Sequence, residues 1–150
     1  MQQKHIAEVR AFNRFYTGII GLLDRHILNS RYSLPEVRVL YELYHNENIT
    51  AREIISSLQM DKGYLSRMLQ QLVRKKLVAK KISTADGRAV HLTLTPAGRK
   101  EFETLNRESD KQIQEILEKL SSGDCERMTG YMAEIRSLLT QPKTTESDGR

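Results

Sequence analysis

The stretch LVAKKISTADGRAVHLTLTPAG, residues 77–98, sets two short runs of branched residues on either side of a turn ending in Asp86-Gly87-Arg88. Val78, Lys80 and Ile82 alternate with Ala79 and Lys81, while Val90, Leu92 and Leu94 alternate with His91 and Thr93. Period two on both sides of a polar connection predicts an antiparallel hairpin. Asp86 and Gly87 supply the turn, being residues that tolerate positive φ.

Upstream of the hairpin the period changes to that of a helix. Thr50-Ala-Arg-Glu53 reads as a capping box opening a short helix, with Ala51, Ile54, Ile55 and Leu58 inward. After the turn Gln59-Met60, Asp61 is a good N-cap for a helix over about 61–76. At about 100° per residue, Leu65, Met68, Leu69 and Leu72 share one face of it, and Gly63, Ser66, Arg67, Gln70 and Arg74 share the other. Residues 50–76 therefore form helix, tight turn, helix, and the hairpin behind them makes a winged helix-turn-helix with Arg88 near the wing tip.

The remaining chain reads as helix. Residues 5–28 carry apolar residues at helical spacing (Ile6, Val9, Phe12, Phe15 or Tyr16, Ile19 or Ile20, Leu23, Ile27), and Gly18 and Gly21 weaken that helix without ending it. Ser33-Leu-Pro-Glu36 is another capping box, starting a helix with Val37, Leu40, Tyr41 and Tyr44 on one side. Thr95-Pro96 opens a helix to about Leu120 that carries Phe102, Leu105, Ile113, Ile116 and Leu117. Ser121 to Asp124 cap a last helix, and the tail 141–150 is polar and loose.

Composition agrees with a globular chain. Its 150 residues are 39% apolar and 29% charged, enough for one domain that buries a sizeable core. No run reaches the ~20 apolar residues of a membrane span, and the N-terminus lacks the apolar core of a signal peptide. A single cysteine, Cys125, fits a reducing cytoplasm. Charge is distributed unevenly. Residues 1–60 carry seven Lys/Arg against six Asp/Glu, residues 61–100 ten against two, and residues 101–150 seven against eleven. A basic middle third beside a neutral or acidic remainder is the footprint of a polyanion binder.

Two stretches, LQMDKGYLSRMLQQLVRKKLV (58–78) and DGRAVHLTLTPAGR (86–99), resemble transcriptional regulators of the MarR (multiple-antibiotic-resistance regulator) family. The second is the more specific, joining Asp-x-Arg, an alternating strand and Leu-Thr-x-x-Gly at the start of a long helix. The resemblance implies a mainly α fold with a small β-hairpin wing. The winged helix-turn-helix, about 33–95, would be flanked by dimerisation helices at about 5–28, 96–120 and 122–139, all within one domain over 1–140.

It further implies a cytoplasmic homodimer that binds double-stranded DNA at a pseudo-palindromic operator and usually represses. The helix 61–76 would enter the major groove and Arg88 the minor groove. Arg67 has the bidentate fork suited to guanine, and Lys62, Gly63, Ser66 and Gln70 lie on the same presented surface, as candidates for base or phosphate contact. Tyr64 suits a thymine methyl or a phosphate, and Asp86 is placed to pin the Arg88 guanidinium. Arg52, Arg74, Lys80 and Lys81 read as phosphate neutralisers. Relatives commonly respond to a small aromatic or anionic effector held between the dimerisation helices and the winged lobe. Phe12, Phe15, Tyr16, His26 and Tyr41 are the candidates to line such a site, although each equally suits a core or interface position.

Departures from the family pattern are specific. Lys76 stands where glycine is common after the recognition helix, so that helix is expected to end differently here. Gln70-Gln71 replaces a frequent acidic residue and arginine. The four histidines and Cys125 show no metal-ligand spacing, and no nucleophile elbow, phosphate loop or paired-carboxylate site is present, so neither enzyme, metal nor cofactor is expected. Two other uses remain open at this level: a winged-helix module for a protein or RNA partner, and a MarR-like activator.

Overall fold

The capping boxes expected at Ser33 and Thr50 are both closed, and each starts the helix that follows it. The computed structural model describes residues 2–21, 31–83, 85 and 87–140. Its elements are α1 (Gln2–Ile19), α2 (Leu34–His45), β1 (Ile49–Thr50), α3 (Ala51–Leu58), α4 (Lys62–Arg74), β2 (Val78–Ile82), β3 (Val90–Leu94), α5 (Pro96–Leu117) and α6 (Ser122–Thr140). Two compact units divide the chain, the first ending at Ser109 and the second beginning at Asp110. The architecture is mainly helical with a small antiparallel sheet, as expected.

At Thr50 the hydroxyl oxygen accepts the Glu53 N–H at 3.3 Å, while Glu53 Oε2 accepts the Thr50 N–H at 2.7 Å. The Thr50 N–H and hydroxyl, both donating to that carboxylate, hold the Glu53 carboxyl below its usual range, the backbone bond contributing most. Thr50 is also the last residue of β1, a two-residue strand that sequence periodicity does not reveal. Ile49 pairs with Leu92 and Thr50 with His91, so β3 is the centre of a sheet ordered β1-β3-β2. His91 fixes that edge further, its ring Nδ1 meeting the Asn48 carbonyl at 2.5 Å.

The core of the first unit forms where α2, α3, α4 and the sheet turn their aliphatic residues together. Leu65, Met68, Leu69 and Leu72 of α4 are all buried, as their spacing predicts, beside Ile54, Val78, Leu92, Leu94, Phe102 and Leu105. On α2 the buried face is Val39, Leu40 and Leu43, rotated from the expected one. Val37 and Tyr44 pack at its margin and Tyr41 is exposed. The branched aliphatics take the centre, while a tyrosine can keep its hydroxyl wet from the edge.

Three helix ends differ from expectation. α1 stops at Ile19 instead of reaching 28, because Gly21 takes a left-handed conformation (φ 67°) and its N–H bonds to the Gly18 carbonyl; residues 22–30 lie outside those described. α5 ends at Leu117, short of Leu120. The end of α4 is the more informative correction. Lys76 does adopt the left-handed conformation that a glycine would favour (φ 60°), at a cost of about 1 kcal/mol. It is compensated by a closed terminal motif in which the Leu77 N–H bonds to the Leu72 carbonyl and the Lys76 N–H to that of Val73, both at 3.0 Å. Leu72 and Leu77 are both buried, supplying the apolar contact that accompanies such an ending.

The described part of the second unit is the end of α5 and α6. Ser121 caps α6, its hydroxyl accepting the Asp124 N–H at 3.1 Å. α6 leaves Tyr131, Ile135, Leu138 and Leu139 exposed.

Candidate nucleic-acid interface

The N-terminal turn of α4 is held by Asp61, whose carboxylate accepts the Tyr64 N–H at 2.9 Å. From this fixed start the helix presents Lys62, Gly63, Tyr64, Ser66, Arg67 and Gln70 to solvent, as well as Arg74 in its last turn. Burial of four apolar residues on the reverse face leaves that polar face no freedom to rotate away. Gly63 keeps the first turn narrow. A methyl group there would stand 3.3 Å from Asp61 Oδ2 and 3.5 Å from Arg67 Nη1, so the Arg67 guanidinium lies back over the bare glycine near the capping carboxylate.

A cleft flanks each side of α4. One, of about 400 Å³, has an apolar floor including Leu65 and Leu69 and is ringed by Arg52 of α3, Lys62 and Ser66 of α4, and Lys80 of β2. The other, of about 270 Å³, runs past Tyr64, Arg67 and Gln71 to the Ser33 cap of α2. The helix α4 thus stands as a ridge between two clefts, a relief that would suit entry of a helix into a nucleic-acid groove.

The wing is the expected antiparallel hairpin; its strands pair from Val78–Leu94 to Ile82–Val90, and the Ser83 N–H bonds to the Ala89 carbonyl at 2.9 Å beyond the last pair. Gly87 (φ 48°) and Arg88 (φ 86°) both lie in the left-handed region at the turn, and Arg88 is exposed. Asp86, expected to pin Arg88, lies outside the described residues. Lys80 and Lys81 occupy opposite faces of β2, as strand geometry demands. Lys80 faces the α4 cleft, and Lys81 lines a separate depression with Asn48 and His91.

The proposed effector-site residues fall into separate groups. Phe12 and Tyr16 stack on α1 with ring centres 5.5 Å apart, and Phe15 is exposed. Tyr41 instead packs on His45 (4.1 Å) and edge-on to Phe102 (6.1 Å). It lines a cleft of about 280 Å³ with Tyr44, Glu103, Asn106 and Arg107. His26 lies outside the described residues. The Tyr44 hydroxyl donates to Glu103 at 3.1 Å, and Arg99 sits 4.8 Å above the Tyr44 ring. Tyr44, Phe102 and Arg107 were not legible as lining residues, although the Tyr41, Tyr44 and His45 spacing on α2 was the available signal. Cys125 is half-buried in the first turn of α6, its thiol 3.8 Å from the Leu117 carbonyl. Among the described residues no cluster of His, Cys, Asp or Glu is arranged to hold a metal, and no helix is long and apolar enough to cross a membrane.

A model of the MarR family matches residues 32–89, the segment that carries the helix-turn-helix and most of the wing. Among curated relatives the chain is 25% identical over 105 residues, 70% of its length, to an uncharacterized HTH-type transcriptional regulator, YdgJ, of Bacillus subtilis. It is 34% identical over 77 residues, 51% of its length, to the organic hydroperoxide resistance transcriptional regulator of the same organism. The chain spans 64% and 50% of the length of these two relatives. Its fold matches solved structures over nearly the whole chain. FabT of Streptococcus pneumoniae in complex with DNA superposes with a TM-score of 0.76 at 19% identity, covering 90% of this chain and 96% of that one. Apo MarR from E. coli gives 0.70 at 23% identity, covering 84% and 94%.

Proposed function

We propose that this chain is a MarR-type, sequence-specific DNA-binding transcriptional regulator, acting as a homodimer on a pseudo-palindromic operator and repressing it. The observation that carries the reading is the ridge of α4 beside a groove ringed by Arg52, Lys62 and Lys80. In this mechanism Arg67 reads a base edge in the major groove, with Ser66 and Gln70 beside it. Arg52, Lys80 and Arg74 neutralise phosphates on either side, and Lys81 meets backbone on the far face of the wing. Arg88, held at a turn of left-handed residues, enters the minor groove, where a narrow electronegative channel attracts guanidinium. The role is non-catalytic and intracellular.

The homodimer reading is supported by α1, on which Ile6, Val9, Phe12, Phe15 and Ile19 are exposed, and by α6 with its own exposed apolar residues. Apolar faces of this kind ask for a partner surface, and a two-fold axis supplies the same surface from a second copy. Two recognition helices would then meet successive major grooves about 34 Å apart. A small aromatic or anionic effector would act by favouring a different spacing, and the Tyr41–Phe102 cleft beside Arg107 is the described site suited to an aromatic ring. A differential of about 2–3 kcal/mol between two spacings changes affinity tens- to a hundredfold.

The electrostatic part is tested by titrating labelled duplex DNA with the protein at two salt concentrations. With six or more phosphates neutralised per dimer, affinity is expected to fall at least ~10³-fold between about 50 and 200 mM salt. Affinity that ignores salt would contradict the assignment of Arg52, Arg74, Lys80 and Lys81.

A further inference from the structure

The carbonyls that follow α4 are taken up by the first turn of α5. Thr95 Oγ1 donates to the Lys76 carbonyl at 2.6 Å and accepts the Gly98 N–H at 3.0 Å, so one hydroxyl joins the two helices and caps the second. The Thr95 N–H donates to the Leu77 carbonyl at 3.0 Å. Gly98 brings its Cα hard against the same group: a Cβ there would lie 2.0 Å from the Leu77 oxygen and 2.9 Å from its carbon. A second set of contacts holds the α4 terminus as well. The Lys75 ammonium lies 5.4 Å from the ring centre of the buried Tyr32, and Arg31 beside Tyr32 reaches Glu101 of α5 at 3.5 Å. The end of the recognition helix is therefore fastened directly to α5 and, through the Arg31–Tyr32 segment, a second time.

We infer that Thr95 is a positioning residue that makes α4 and the start of α5 one rigid piece, and so sets the half-site spacing the dimer accepts. This rests on the DNA-binding reading above. A hydroxyl bonded to two backbone groups at once leaves α4 no independent swing. The angle of each recognition helix is then dictated by α5, which continues unbroken to Leu117. Without the bond, α4 still folds on its leucines and still presents Arg67, but its angle to α5 is free to vary. Loss of the Thr95 hydroxyl should consequently loosen spacing preference without changing what one lobe recognises.

The test compares wild type, Thr95→Val and Thr95→Ser on operators whose half-sites are moved apart or together by one base pair, and on a single half-site. One base pair rotates the second half-site by about 34°, so wild type is expected to lose roughly tenfold or more at each displaced spacing. Thr95→Val should bind the single half-site as wild type does while varying less than about threefold across spacings, and Thr95→Ser should restore the wild-type profile. A Thr95→Val profile as sharp as wild type would overturn the inference. So would an equal loss on every DNA, the single half-site included, which marks a merely structural threonine. Failure of wild type to bind any of these duplexes would instead refute the DNA-binding reading, and the inference with it.

Discussion

Arg67→Ala is expected to remove one base preference from each operator half-site and to weaken operator binding by at least tenfold. The guanidinium lies on the exposed face of α4, over Gly63 and near the Asp61 carboxylate. A bidentate contact to guanine contributes about 1–3 kcal/mol of discrimination, and a dimer makes it twice. The loss should fall on cognate DNA and leave non-specific binding little changed, since the phosphate contacts are proposed for other residues. Competition titrations with operators altered at each position measure it. Equal weakening on all sequences would instead place Arg67 on the phosphate backbone.

The largest stability effect is expected at Gly98. Gly98→Ala would set a methyl group 2.0 Å from the Leu77 carbonyl oxygen, a distance no packing tolerates, against backbone that cannot swing aside as a flexible side chain would. Relief requires the first turn of α5 to withdraw, breaking the Thr95 bonds to Lys76 and Leu77 and opening the packing of Phe102. Overpacking costs about 1–3 kcal/mol and each lost hydrogen bond about 0.5–1.5, so a destabilisation of roughly 3 kcal/mol or more is expected. In a chain of this size that lowers the thermal midpoint by roughly 10 °C, which circular dichroism follows directly. Gly18→Ala is the control. A methyl group at that helical position meets nothing within 4 Å and should be neutral or slightly stabilising. A Gly98→Ala midpoint equal to that control would show that the contact is not tight in solution.

Local signals account for what the sequence made legible. The capping boxes at Ser33 and Thr50 need only residues three apart, and the buried stripe of α4 needs only its own period. The antiparallel wing followed from alternation on both strands. What escaped depends on partners distant in sequence. β1 has two residues, too few to show a period, and exists because β3 offers Leu92 and His91. The left-handed Lys76 contradicts local preference, and the Leu77 burial and the Thr95 bond that stabilise it come from outside the helix. On α2, two competing apolar stripes share one helix, and only packing against the rest of the core selects Val39, Leu40 and Leu43. At the candidate interface, the exposed face of α4 was readable residue by residue. The company Tyr41 keeps with Phe102 required the fold.

Selection from a random duplex library by the wild-type protein tests the central claim most directly. An enriched palindrome with half-sites about ten base pairs apart, centre to centre, is the result that a homodimer reading successive major grooves predicts. Recovery of a library with no enriched sequence, from protein that is folded and dimeric, would contradict it.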